Sequence, residues 1–283
     1  MKKIGVVGLG IMGHGIADNF LKNRYEVYVW NRNPEKAQDL AEKGAIVCKT
    51  PKEVAQNVEM IFEVTANDES SKEVWATDDG ILAGVSANCV LISNATLSTK
   101  WVDKLAKLCT EKGNVFFDMP MTGSRIGAET GRLTLLVGGD ETKLKEIKPD
   151  LKAISERVVY FGPAGQGLRY KLLLNMLQAI HIVGYAEVLK IAKASGMNVN
   201  EVADTLAIRP GGVVTGMAKE GFHKQPNPIT FSIEWLAKDL GYAKQFADSL
   251  DTPMLDDVLT KYSELLGSGK GQTDWTNVFK QEI

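Results

Sequence analysis

At 283 residues, 44% of them hydrophobic, and with a formal net charge of −2, the chain is long enough for two domains and has no cationic excess to favour nucleic acid. Two lysines run directly into an apolar strand without an h-region and cleavage site, and no stretch has the uninterrupted apolar length of a membrane span. A cytoplasmic protein with no membrane partner is therefore expected.

The first element, Lys3 to Val7, is a short apolar strand that leads into Gly8-Leu9-Gly10-Ile11-Met12-Gly13. The spacing suits a dinucleotide: Gly8 for the tight turn, Gly10 for close approach of a pyrophosphate, and Gly13 for packing of the following helix on the strand. A helix starting near Met12, with Ile16, Phe20 and Leu21 on one side, aims its N–H groups and positive dipole end at the phosphates. The second strand, Glu26 to Trp30, completes a βαβ unit. Where an NAD site places a carboxylate about 20 residues after the glycines, this chain reads Asn31-Arg32-Asn33. A guanidinium can grip a 2′-phosphate through paired hydrogen bonds, so NADP is favoured, with Asn33 also capping the helix that begins at Pro34.

Further strands are predicted at Ala45–Val47, Met60–Val64, Val90–Ser93, Val115–Asp118, Leu133–Val137 and Val158–Phe161, with helix starts at Thr50-Pro51 and Ser98. This alternation predicts an α/β fold with a largely parallel, doubly wound sheet whose ligand lies over the carboxyl ends of the strands. Val64-Thr65-Ala66-Asn67 and Ser93-Asn94-Ala95-Thr96 follow two such strands and read either as cofactor contacts or as plain loops. Asp118-Met119-Pro120-Met121-Thr122-Gly123-Ser124 reads as a turn with a hydroxyl, exposed N–H groups and Arg125 nearby, able to hold a small carboxylate.

After Gly162 only helical periodicity is evident: Leu168–Ser195, Val199–Leu206, Ile233–Leu250 and Pro253–Leu266. The long helix is apolar almost all round, which predicts burial, yet Lys171, Asn175 and Gln178 form one polar stripe at i, i+4 and i+7. A shared cavity accounts for all three, whereas a snorkelling lysine accounts for one. An ammonium partly withdrawn from water is a usable proton donor near neutral pH. Phe231, Trp235, Lys238 and Asp239 recur at helical spacing and read either as a functional face or as core aromatics beside a solvated ion pair. Cys48, Cys89 and Cys109 are widely spaced, and His14, His181 and His223 cluster with neither one another nor the cysteines. Neither a metal site nor a disulfide is expected, and each thiol reads as a small buried hydrophobe.

Four ordered motifs make the chain resemble the β-hydroxyacid dehydrogenases, which include 3-hydroxyisobutyrate dehydrogenase, tartronate semialdehyde reductase and the glyoxylate/succinic semialdehyde reductases. They are GLGIMG at Gly8 to Gly13, DMPMTGS at Asp118 to Ser124, GPAGQGLRYKLLLN at Gly162 to Asn175, and KDL at Lys238 to Leu240. The resemblance implies a Rossmann-type domain over residues 1–162 and an all-α domain over residues 163–283 for substrate and oligomerisation. It implies Lys171 as general acid/base, Asn175 as a substrate ligand, and Thr122, Gly123 and Ser124 as the carboxylate turn. It also implies that Thr65, Ala66 and Thr96 lie along the cofactor, with Val64 a candidate from its place after a strand, and that Lys238 sits near the nicotinamide. The family's usual Ser-Gly-Gly turn is here Thr122-Gly123-Ser124, which keeps a hydroxyl and adds bulk. Asn31-Arg32, the Gly123–Glu129 stretch and Phe231 look like those of the NADP-dependent semialdehyde reductases, with Arg125, Phe231 and Asp239 joining the substrate set.

The expected chemistry is hydride transfer between NADPH and a small aldehyde acid or hydroxyacid, with Lys171 handling the proton. A homodimer or homotetramer is expected from the apolar surface of the long helix. Two rivals are an imine reductase, whose relatives are expected to lack the lysine at position 171, and a non-catalytic nucleotide-binding scaffold.

Overall fold

A computed structural model describes residues 1–208 and 213–281, in two compact units, Met1–Lys171 and Leu172–Ile283. In the first unit nine strands form one mixed sheet: β1 (Lys3–Val7), β2 (Glu26–Trp30), β3 (Ile46–Val47), β4 (Met60–Glu63), β5 (Val90–Ser93), β6 (Phe116–Asp118), β7 (Met121–Thr122), β8 (Leu133–Gly138) and β9 (Ser155–Gly162). The order runs β3-β2-β1-β4-β5-β6-β8-β7, with β9 paired to β8. The six strands from β3 to β6 are parallel and follow the order of dinucleotide-binding sheets, so the ligand crevice falls where the order reverses, between β1 and β4. β8 is antiparallel to β6 and β7 and parallel to β9.

These strands form because their apolar, largely β-branched runs are covered on both faces. Ile4, Val6, Val27, Val29, Met60, Phe62, Ile92 and Phe117 have no exposed surface. Helix Ile11–Lys22 buries Ile16 and Phe20 completely, and the Phe20 and Phe62 rings stand 5.1 Å apart. Thr50 and Ser98 cap their helices through hydrogen bonds from the Glu53 and Trp101 N–H groups. The three cysteines are buried and unpaired, and burial pushes the Cys48 thiol up to about 11 and those of Cys89 and Cys109 up to about 12.

One strand differs from expectation. Met121 and Thr122, expected in an open turn, pair as β7 with Leu135 and Thr134 of β8. Two residues between a proline and a glycine leave no periodicity to read, but pairing to a buried neighbour supplies the missing constraint.

The second unit contains the rest of helix Gln166–Ala194 and helices Val199–Ala207, Val213–His223, Ile233–Ala247 and Pro253–Leu265. Its only β pairing among the described residues is the single bridge between Ser232 and Asp274. Helix Val213–His223 was not anticipated, because its two glycines lower helix propensity. Gly221 nonetheless has a packing reason, since a Cβ there would collide with the Thr276 hydroxyl. The units divide inside helix Gln166–Ala194, beyond Gly162 where the sequence pattern changes. Its first turn belongs to the sheet unit because Gly167 packs on the Leu136 carbonyl of β8 so closely that a Cβ would collide.

That helix is also not buried all round, as its apolarity suggested. Leu172, Ala179, Ile182 and Leu189 are inaccessible, whereas Leu173, Leu177, Val188 and Ile191 are 44–65% exposed. By length and composition it is apolar enough to cross a bilayer, although Lys171, Asn175, Gln178, Glu187 and Lys190 interrupt the apolar run.

Candidate active site

The glycine turn is a cradle built by close backbone approach. Gly8 has φ of +98°, and a Cβ there would collide with the Val64 carbonyl oxygen at the end of β4. A Cβ on Gly13 would collide with the Gly8 carbonyl, whereas one on Gly10 would meet nothing within 4 Å. Helix Ile11–Lys22 has no side-chain cap and no acidic residue in its first turn. Its leading N–H groups therefore face that open space without an intrahelical acceptor, an arrangement suited to a phosphate.

Asn31 holds the turn in shape. Its Oδ1 accepts from Leu9 N at 2.9 Å, and its Nδ2 donates to the Asn33 carbonyl at 2.8 Å. Asn33 in turn accepts from Glu35 N at 3.1 Å and caps the Pro34–Ala37 turn. Arg32 is open to solvent, with its side chain 74% exposed and Nη1 3.6 Å from Glu73 Oε2. Val64, Thr65 and Thr96 are half-buried and Ala66 is exposed. The loops after β4 and β5 are tied together by Asp68, which accepts from the Ser98 N–H and hydroxyl.

Two contacts that the sequence reading missed lock the glycine-turn helix to helix Ser124–Thr130, which follows the Thr122–Gly123 turn. A Cβ on Gly15 would lie 2.6 Å from the Ala128 carbonyl oxygen, and Asn19 Nδ2 donates to that same oxygen at 2.7 Å. Thr122 and Arg125 are half-buried, and Gly123 and Ser124 exposed. Arg125 Nη1 stands 3.4 Å from Glu129 Oε1.

Ser124 sits in the left-handed region at φ +54°, next to Gly123 at +125°. A non-glycine residue there costs about 1–2 kcal/mol, partly offset by the lower chain entropy of serine relative to glycine. Ser124→Gly is therefore expected to stabilise the fold by about 1 kcal/mol or less, read as a thermal midpoint higher by about 2 °C. A lower midpoint would show that the serine side chain contributes more than its backbone costs.

The residue that aims the long helix is Asp118, at the end of β6. It is 1% exposed and accepts from Gly165 N and, at 2.6 Å, from Leu168 N. A carboxyl thus satisfies two orphan donors at the start of helix Gln166–Ala194. Burial pushes Asp118 up, against the opposing pull of those N–H groups and of Arg169. Arg169 is bidentate to Asp103 at 3.1 and 2.8 Å, and Tyr170 stacks on Phe161 with ring centres 4.0 Å apart. Lys171 follows and is half-buried. The motif showed Asp118, but nothing local to it announced donors 47 and 50 residues onward.

In the helical unit, Asn175 is the buried member of the polar stripe, at 4% exposure, and Gln178 is half-buried. Asn175 Nδ2 donates to Asp239 Oδ2 at 2.7 Å. Asp239 is 2% exposed, and its Oδ1 lies 3.0 Å from Lys238 Nζ in an ion pair without aligned hydrogen-bond geometry. Lys238 also lies over the Tyr242 ring, 5.4 Å from its centre. The Lys238-Asp239 pair is therefore no solvated helix face. Phe231 is half-buried, with ring centres 5.9 Å from Trp235 and 6.0 Å from Trp275.

Comparison with known proteins matches the chain to two families in succession. Residues 3–162 match the family described as the NAD binding domain of 6-phosphogluconate dehydrogenase. Residues 165–281 match the family described as NAD-binding of NADP-dependent 3-hydroxyisobutyrate dehydrogenase. The chain is 30% identical to the mitochondrial 3-hydroxyisobutyrate dehydrogenase of Mus musculus, covering 98% of this chain and 86% of that one. It is 28% identical to glyoxylate/succinic semialdehyde reductase 1 of Arabidopsis thaliana, covering 98% and 97%. Among solved structures, Mycobacterium tuberculosis 3-hydroxyisobutyrate dehydrogenase with L-serine superposes with a TM-score of 0.88 at 23% identity, covering 99% and 98%.

Proposed function

The chain belongs to the β-hydroxyacid dehydrogenase family, and we propose that it reduces a small aldehyde acid with NADPH and, in reverse, oxidises the corresponding hydroxyacid. The observation that carries this reading is Asn175, one helical turn beyond Lys171, buried and held by the buried carboxylate of Asp239. An amide fixed in this way, one turn beyond a lysine, is held in place to meet a ligand with its remaining polar atoms.

The glycine turn fits a dinucleotide pyrophosphate: its helix start is uncapped, and the space a Gly10 Cβ would enter is open. In this reading the Gly8–Gly13 turn holds the phosphates through the Ile11 and Met12 N–H groups, Val64, Thr65, Ala66 and Thr96 flank the cofactor, and Lys238 is assigned to its nicotinamide end. When bound, the reduced nicotinamide supplies a hydride to the carbonyl carbon of the substrate. Lys171 gives a proton to the oxygen that becomes the alcohol and takes it back in the reverse direction. Asn175 spends one N–H on Asp239 and offers the other to the charge developing on that oxygen. Thr122, Gly123 and Ser124 fix the substrate carboxylate, Arg125 offers a cation for a second acidic group, and Phe231 lines the substrate side.

NADP rather than NAD is supported by the end of β2, where Arg32 stands in place of a carboxylate. Its exposed pairing with Glu73 at 3.6 Å is of a kind worth about 1 kcal/mol or less, so a 2′-phosphate can displace it. Arg32→Ala is expected to raise KM for NADPH about tenfold and leave KM for NADH within about twofold. An unchanged NADPH-to-NADH preference would remove Arg32 from cofactor selection. The exposed Leu173, Leu177, Val188 and Ile191 support a homo-oligomer.

The reading is tested by following NADPH oxidation with glyoxylate, succinic semialdehyde and a cyclic imine. Turnover of the aldehyde acids without the imine is the expected outcome. Turnover of the imine alone would assign the chain to imine reduction, and binding of NADPH without turnover of any of them would make it a scaffold.

A further inference from the structure

We infer that Glu63, a residue outside every motif, is a positioning residue for dinucleotide binding: its buried carboxyl holds Thr65 against β5 and so sets the segment that abuts the glycine turn. The inference rests on the dinucleotide reading of that turn.

Glu63 is the last residue of β4 and has no exposed surface. Its register partners are Val7 of β1 and Ser93 of β5, so it stands at the carboxyl edge of the sheet beside the strand that feeds the glycine turn. One carboxyl oxygen, Oε1, accepts from Thr65 N at 3.2 Å and from the Thr65 hydroxyl, and Oε2 accepts from the Ser93 hydroxyl at 2.7 Å. Backbone bonds extend the sheet on either side of it, from Val64 N to the Val7 carbonyl and from Asn94 N to the Glu63 carbonyl, each at 2.8 Å.

The clamp matters because of what it touches. Val64, between Glu63 and Thr65, presents the carbonyl that leaves no room for a Cβ on Gly8. A shift of Thr65 is therefore transmitted to the turn through backbone rather than through a flexible side chain. A polar network is also an unusual choice in this position, since a leucine of similar size fills the space without desolvating a carboxyl.

Burial pushes the Glu63 carboxyl up, and the donations from Thr65 and Ser93 oppose it. Both carboxyl oxygens act as acceptors, and their donors come from the segment after β4 and from β5. Glutamine keeps the acceptor for Thr65 and can donate to the Ser93 hydroxyl, whereas leucine removes both arms.

The test is the Kd for NADPH, followed by tryptophan fluorescence, together with kcat at saturating NADPH and the thermal midpoint. Glu63→Gln is expected to bind NADPH within about threefold of the parent. Glu63→Leu is expected to weaken binding about tenfold or more while kcat at saturation stays within about threefold. A role in packing alone would move the midpoint and leave Kd untouched, so a folded Glu63→Leu protein with parental Kd overturns the inference. Should that variant not fold, Ser93→Ala removes one arm of the clamp and is expected to raise Kd about threefold to fivefold, and an unchanged Kd there overturns it equally. A parent chain that binds neither NADPH nor NADP+ defeats the dinucleotide reading itself, a different result from loss of the Glu63 effect in a chain that binds.

Discussion

Lys171→Ala is expected to lower kcat for aldehyde-acid reduction by about 10²–10⁴-fold, the usual contribution of a positioned proton donor, while Kd for NADPH stays within about twofold. The lysine follows the first turn of a helix whose start is pinned by Asp118 and whose next turn carries the buried Asn175. Removing the side chain leaves that framework in place and takes away only the group proposed to protonate the oxygen. The loss should then appear equally in kcat and kcat/KM, the signature of an interaction made in the transition state. A folded Lys171→Ala protein reducing aldehyde acids at near the parental rate would take the proton-transfer role away from this residue.

The largest expected effect on stability belongs to Asp118→Ala, about 2–5 kcal/mol. The substitution strands two buried donors, Gly165 N and Leu168 N, whose acceptors are the two oxygens of this one carboxyl. It also opens space against Gly138, where a Cβ would otherwise meet Asp118 Oδ1. Asparagine offers a single acceptor and turns its NH2 towards the second donor, so Asp118→Asn is expected to recover about half of the loss. Urea unfolding monitored by circular dichroism reads both variants. An alanine variant within about 0.5 kcal/mol of the parent would show that water or a rearranged helix start satisfies those N–H groups.

How far the chain could be read from sequence follows from how far each signal reaches along it. β1, β2, β4 and β5 were legible because uninterrupted apolar runs bounded by Gly, Asn and Asp leave little choice of structure. The glycine spacing was legible because Gly8 and Gly13 answer local steric demands, the closer being Gly13 against the Gly8 carbonyl, while Gly10 keeps the space beside the turn open. β7 was lost because two residues carry no period, and helix Val213–His223 because its glycines hide a helix that packing restores.

The side chains that position others were harder to find. Asp118 and Glu63 are acidic residues at strand ends, where a solvated loop residue looks the same; the donors to Asp118 come from a distant helix start, and one donor to Glu63 comes from the neighbouring strand β5. The two readings of Lys238-Asp239 are separated only by burial, which follows from which helix face meets the Asn175 amide. Apolarity on every side of helix Gln166–Ala194 suggested an apolar surface but did not single out Leu173, Leu177, Val188 and Ile191 as the exposed face.

The central claim is that this chain moves hydride from NADPH to the carbonyl carbon of an aldehyde acid. Incubation with succinic semialdehyde and NADPH deuterated at both C4 positions, with the product examined by NMR, tests it most directly. The account predicts one deuterium on the new alcohol carbon and a slower rate than with unlabelled NADPH. An alcohol free of deuterium, or NADPH bound and left unconsumed, would contradict it.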